Sequence, residues 1–428
     1  LKGINKMIKR NQLNLFLQYI LAFLIILETR SVYSRCVVGH IDEIIIGGII
    51  LTIILIILVN MNYKLKTKSL FFLLFYYLYM FIFLIINVDG YNVNFVIIFM
   101  ILFPLVFLML NLYDSKEIKN LFKAYVNIMV IISAISLFFY IFGSLTGMVS
   151  TNIIQEINWG GDYGGNKIIN GYFGLHFNTQ TTVIFGDAIL RNTSIFVEGP
   201  MFALHLLFAM ALSLFMNKKL INKYSIIFGF SILSSLSITA ILFYMFLLFY
   251  KYTFYNKSKT KIILLPILFF IFLIIGTTFF NDKQSTNSYN IRNDDYTASF
   301  RVFNDYPIFG SGFANNNIVI KYMSTFRLYN TGLANSFVVL LVQGGLYLVI
   351  FYLLPVILNS LNLIKSKNKN LFLIEIMLLQ LYLFFMNAYQ YTSLMIIFLA
   401  FDYYILLFYN KNNDLKNLQL KEETYEKI

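Results

Sequence analysis

Apolar runs close to the length of a membrane crossing recur along this chain, and they leave few folds open to it. They lie near 12–28, 41–60, 69–87, 91–111 and 121–142, and again near 193–216, 224–250, 261–280, 334–358, 370–388 and 391–409. A helix needs roughly 20 apolar residues to cross the hydrocarbon layer. Inside lipid every backbone N–H and C=O must find a partner within the protein, and a helix supplies one for each. Only 12% of the residues are charged, against about 25% in soluble domains. The sequence therefore reads as an all-α integral membrane protein. Its net charge of +13 does not point to nucleic acid, because the lysines sit in short loops between apolar runs and report topology. The single cysteine, Cys36, excludes an internal disulfide and a cysteine-built metal site.

Placing the lysine-rich loops inside sets the orientation. Lys2, Lys6, Lys9 and Arg10 precede the first run, which has no small-residue cleavage site after it and reads as a retained helix. Lys64, Lys66 and Lys68 follow the second run, and Lys116, Lys119 and Lys123 surround the gap after the fourth. The run 224–250 has lysines at both ends, so one crossing would break the bias. A hairpin of two short helices turning near 234–239 restores it, with its tip satisfied inside the protein. These rules give about 12 helices, both termini inside, and two long polar outer loops at 143–192 and 281–333.

Three stretches of the outer side carry candidate chemistry. In RNTSIFVEGP at 191–200, Pro200 suits the first turn of a helix, which puts Glu198 at the positive end of a helix dipole. Arg191 lies just upstream and can hold a phosphate there. A capping Glu and an interfacial anchoring Arg fit the same spacing. In ASFRVFNDYPIFGSGF at 298–313, Arg301 and Asp305 are one helical turn apart, and Gly310 and Gly312 permit a tight loop whose amides can face an anion. A surface ion pair and an ordinary turn fit equally. Arg327 and Arg292 complete a set of outer arginines suited to a polyanion without a metal. His176 lies in the first long outer loop. His205, seven residues after Glu198, reads as structural, as do Glu375 and Asp402 in the last two runs.

At these residues the chain resembles the O-antigen polymerase and ligase superfamily of bacterial envelope polysaccharide synthesis. RNTSIFVEGPMFA at 191–203, FRVFNDYPIFGSGF at 300–313 and ANSFVVLLVQGGLYLVIFYLL at 334–354 match its segments in order and spacing, over roughly 190–400. The resemblance implies a GT-C-like helical bundle in the bacterial cytoplasmic membrane. It implies transfer of an oligosaccharide from a polyprenyl pyrophosphate to an acceptor hydroxyl, with no metal or cofactor. On that pattern Arg191 and Arg301 contact the pyrophosphate and Glu198 is the base or positions the acceptor. Arg327, Arg292, Asn335, His176 and Asp305 are expected to touch substrate. Partners would be membrane lipids, a flippase and a chain-length regulator. The ligases carry a His beside Asn at the start of the post-loop helix, and here the pair is Ala334–Asn335, which favours a repeat-unit polymerase. Two other readings stay open: a different membrane glycosyltransferase using Asp42 and Glu43, which follow His40 in the first outer loop, and a lipid-oligosaccharide transporter.

Overall fold

The apolar runs form helices, and side-chain caps mark where several begin. The computed structural model describes residues 2–37, 39–60, 65–87, 93–158, 165–184, 187–216, 222–255, 287–315, 317–327, 331–365 and 370–408. The expected helix at 261–280, the Trp159 turn and the polar tail after 408 lie outside the described residues. The described helices are α1 (Lys2–Glu28), α2 (Ile41–Asn60), α3 (Thr67–Ile86), α4 (Val93–Leu112), α5 (Ser115–Leu145), α6 (Gly199–Met216), α7 (Lys223–Ser234), α8 (Ile238–Tyr255), α9 (Asn287–Asp305), α10 (Ser336–Lys365), α11 (Leu371–Met386) and α12 (Ser393–Phe408). Asp114 and Glu117 form a capping box at the start of α5, and Asn222 with Ser225 forms another at α7.

Among the described residues six helices are long and apolar enough to cross a membrane: α1 from Arg10, α2, α3, α4, α5 and α10. The remaining apolar helices, α6, α7, α8, α11 and α12, are shorter. Burial varies from helix to helix rather than with length: α10 is mostly buried, and α7 exposes Ile226, Phe230 and Leu233. Phe71, Phe75 and Ile85 of α3 are exposed, whereas every side chain from Met201 to Leu214 of α6 is buried. A helix that is apolar all round belongs in a core or in lipid. Here α6 and α12 take the core, and α2 and α3 present apolar surface outward.

The expected hairpin is present. Helices α7 and α8 are separated at Ser235–Ser237, where Leu236 has φ of 50°. The carbonyls freed at the tip are not left bare: Asn192 N donates to Ser234 O at 3.0 Å, and the Arg191 guanidinium donates to Ser235 O at 2.9 Å and Leu236 O at 3.2 Å. A buried turn needs such partners.

The long polar segment 143–192 is not all coil, so the mostly helical fold also carries strands. It folds into an antiparallel sheet, β1 (Ile153–Asn158), β2 (Asn166–Tyr172) and β3 (His176–Asn178), and a hairpin, β4 (Thr181–Ile184) and β5 (Asp187–Leu190). One face of the sheet is buried, through Ile157, Ile169 and Phe177, whereas Ile154 and Ile168 of the other face are exposed. The buried face packs on Val32 of the α1–α2 loop and Val197 ahead of α6, forming a small core apart from the helices.

The polar segment 281–333 is likewise more ordered than a loop. Its first half is the amphipathic α9, which ends at Asp305, ahead of Pro307 as Pro demands. Residues Pro307–Gly312 then dock into a break in α10, where Gly345 has φ of 54°. Leu346 N donates to Pro307 O at 3.0 Å, Tyr347 N to Ile308 O at 2.9 Å, and Ser311 N to Val342 O at 2.7 Å. The loop thus satisfies the groups that the break exposes. A Cβ on Gly310 would lie 2.5 Å from the Gln343 carbonyl carbon, so the two backbones meet only because both positions are glycine. The expected anion-facing role for Gly310 and Gly312 is replaced by this backbone docking. Tyr79 of α3 clasps the same break: its hydroxyl donates to Tyr347 O at 2.7 Å, and Tyr347 Oη donates back to Tyr79 O at 2.8 Å.

Candidate functional site

The segment before α6 and the α1–α2 loop are brought together by a short antiparallel ribbon. Ser31 pairs with Phe196, Val32 N donates to Ile195 O at 2.8 Å, and Val197 N donates to Arg30 O at 3.1 Å. Cys36 pairs with Ile157, which ties the loop to the sheet as well. This bracing fixes Arg30 and Arg35 beside the start of α6. Glu198 caps that helix through its backbone, accepting from Met201 N and Phe202 N. Its side chain accepts from Arg30 at 3.0 Å.

These residues line one large cavity of about 1010 Å³. The α1–α2 side contributes Glu28, Arg30, Arg35 and Asp42; the α6 side contributes Arg191, Glu198 and Gln180; the segment 281–333 contributes Arg292 of α9. The segments 143–192 and 281–333 therefore meet across one space. Its polar end includes Asn387, Gln390, Tyr391 and Gln343, and its apolar wall includes Ile97, Ile98 and Leu102 of α4. The α4 wall is wound as a π-helix over Val96–Leu102, a geometry found frequently at functional sites.

The arginines differ in how well the protein satisfies them. Arg191 is held on three sides, by the hairpin tip and by Gln180 Oε1 at 3.2 Å. Burial pulls its pKa down, and the Glu198 charge only partly offsets this. Arg35 is pulled down by burial and then by Arg30, against Glu28, Asp42 and Glu198. Among the described residues the guanidinium groups of Arg35 and Arg292 donate no hydrogen bond to the protein. Guanidinium groups that are partly desolvated, crowded by like charge and short of acceptors favour an anionic ligand.

Other expected site residues lie elsewhere. Arg301 is exposed on α9 and outside the cavity, because the face of α9 carrying Ala298 and Val302 is the buried one. Asp305 is exposed too and accepts from Tyr322 Oη, not from Arg301. Arg327 is buried and saturated, donating to Asp295 at 2.8 Å, Asp294 at 3.3 Å, Ile291 O at 3.0 Å and Gly332 O at 3.1 Å. Asn335 is buried and its side chain accepts from Val338 N at 3.0 Å, capping α10. His176 is fully buried beneath the sheet, 3.2 Å from Ser136 Oγ and 3.4 Å from Ser144 Oγ, and burial lowers its pKa to about 3. It stays neutral and holds the sheet to α5. Glu43 is exposed and pairs with His40, while its neighbour Asp42 reaches the cavity. His205 is buried against Tyr125, and Glu375 and Asp402 are buried away from the cavity. Glu375 interacts electrostatically with buried Lys251.

Sequence reasoning passed over Arg30, Arg35, Glu28 and Gln180. The signal for the first two was present: they are arginines in a loop that lysine counting places outside, against the positive-inside bias. No protein-family model, curated protein or solved structure matches the chain.

Proposed function

We propose that the protein polymerises lipid-linked oligosaccharide repeat units at the outer face of the bacterial cytoplasmic membrane. The glycan passes from a polyprenyl pyrophosphate to an acceptor sugar hydroxyl. In this reading both termini are cytoplasmic, and the segments 143–192 and 281–333 face outward. A flippase supplies the donor, and a chain-length regulator acts on the product. The observation that carries it is the convergence of Arg30, Arg35, Arg191 and Arg292 from three distant segments on one cavity.

The chemistry asks for that arrangement. The acceptor oxygen forms a bond to the anomeric carbon as the bond from that carbon to the pyrophosphate oxygen breaks. The electron pair leaves on the pyrophosphate, and the acceptor's proton goes to a base. Fixed guanidinium groups stabilise the charge that grows on the leaving group. Glu198 is engaged by Arg30, so its part is to orient that cation. The apolar side chains of α4 at the cavity, Ile97, Ile98 and Leu102, suit the first units of the donor's isoprenoid chain.

A second reading takes the acid at Asp42 as the reacting group of another membrane glycosyltransferase, since Asp42 also lines the cavity. The two separate in the host. Deleting the gene should leave surface glycan as single repeats, and complementation with Arg35→Ala or Arg292→Ala should not restore polymer. In detergent-purified protein, inorganic pyrophosphate should raise the melting temperature of the wild type and not of these variants. Full-length polymer from both variants overturns the reading; loss confined to Asp42→Asn supports the alternative.

A further inference from the structure

Three carboxylates line the cavity: Glu28, Asp42 and Glu198. They are held differently. Glu198 is spoken for by Arg30 at 3.0 Å. Asp42 lies in the first turn of α2, exposed, where the helix N-terminus favours its charge. Glu28 ends α1, and its Oε2 accepts from Ser393 N, the first residue of α12, at 2.9 Å. Thr29 Oγ1 also approaches Oε2, at 3.5 Å. Among the described residues no Lys or Arg nitrogen comes within 4.0 Å of Glu28, and the Ser393 hydroxyl joins its amide in bonding the carboxylate.

Its position matters as much as its bonding. Ser393 follows Tyr391 and Gln390, which line the cavity with Asn387 and Gln343, and Phe313 packs at a tilt against Tyr391 with ring centroids 4.6 Å apart. Those side chains suit an uncharged sugar, with a ring for its apolar face and amides for its hydroxyls. Glu28 also lies within electrostatic reach of Arg35. Glu28 thus lines the cavity between the electrostatic influence of Arg35 and the start of α12, with Oε2 anchored on the Ser393 amide.

We infer that Glu28 is the catalytic base, which takes the proton of the acceptor sugar hydroxyl while Arg30, Arg35 and Arg292 hold the leaving pyrophosphate. The inference rests on the transferase reading above. The acceptor O–H proton passes to Glu28 Oε1, the freed oxygen pair bonds the anomeric carbon, and the pyrophosphate departs with the electrons of the broken bond. Glu28 then returns its proton to water. Anchoring Oε2 on the α12 N-terminus fixes the direction of Oε1, as a base requires.

The test uses membranes from the deletion strain carrying each variant. The donor is lipid-linked repeat units extracted from that same strain, and polymer formed per unit of protein is read on gels. Glu28→Gln keeps an oxygen for Ser393 N but cannot take the proton. We expect it to lose on the order of a hundredfold in rate, with the melting-temperature rise on inorganic pyrophosphate retained. Glu28→Asp should keep more activity than Glu28→Gln. Should Glu28→Gln fail to accumulate, Glu28→Asp and Glu28→Asn, matched in size, carry the same comparison. Polymerisation by Glu28→Gln or Glu28→Asn within threefold of the carboxylate enzyme overturns the assignment. If Arg35→Ala and Arg292→Ala abolish polymer while Glu28→Gln does not, the base alone is wrongly assigned. If none of the three matters, the transferase reading itself fails.

Discussion

Arg292 and Arg327 come from the same polar segment, 281–333, and have different surroundings. Arg327 is enclosed, with two aspartates and two carbonyls taking its donors. Arg292 is half-buried at the cavity wall, and its side chain donates to no acceptor among the described residues. The aspartates that neutralise Arg327, Asp294 and Asp295, lie two and three residues after Arg292 on α9, so one helix delivers its acids to one arginine and its own cation to the cavity. The lesson is that an arginine's role follows from what the fold leaves around it. A saturated guanidinium is a structural clamp, and an unsatisfied one is a binding group.

The contrast can be broken in order of effect. Arg327→Ala strips two buried carboxylates of their partner. It should cost about 3–5 kcal/mol, read as a large fall in melting temperature and in membrane abundance. Wild-type stability with this variant would mean that the clamp is not one. The next largest effect belongs to His176, neutral in the fold with a pKa near 3 and an ordinary value of 6.5 when unfolded. Between these values the unfolded state binds the extra proton, so stability is intact above pH 6.5 and declines as pH falls through that window. At pH 5 the loss is about 2 kcal/mol, and a His176→Asn variant should show a flatter stability profile over pH 5–7.5. Arg292→Ala should shift stability by less than about 1 kcal/mol yet remove both polymer and the response to pyrophosphate. A variant that melts early instead would place Arg292 with Arg327. Arg301→Ala, exposed and away from the cavity, should change neither melting nor glycan length; a loss of polymer would return it to the site.

Local signals were readable from sequence, and long-range ones were not. Pro200 placed the start of α6, and Pro307 closed α9, because proline acts on its own turn. The lysines at both ends of 224–250 revealed the hairpin, because topology sums over short stretches. Arg30 and Arg35 became site residues only through a ribbon that pairs residues more than 160 positions apart, as in Ser31 with Phe196. The strands were hidden for a related reason: they are short, exposed on one face, and find their core in Val32 and Val197. The motif glycines 310 and 312 were visible, but their use was not, since the partner is a break in α10 that no local pattern announces. Six of the described helices are long and apolar enough to cross a membrane, and the spacing of apolar runs does not tell a spanning helix from a short buried one such as α6.

That break also constrains how the molecule is made. The amides of Leu346 and Tyr347 and the carbonyl of Val342 find their partners in residues 307–311 rather than along α10. Left in hydrocarbon without them, these groups would each cost several kcal/mol. The residues that relieve this cost precede α10 in the chain. During biogenesis α10 therefore settles as two half-helices around a segment already delivered, and insertion and tertiary folding are one event at this point. A protein whose 307–312 segment is shortened would stall there, with a helix that is long enough to cross and unable to rest.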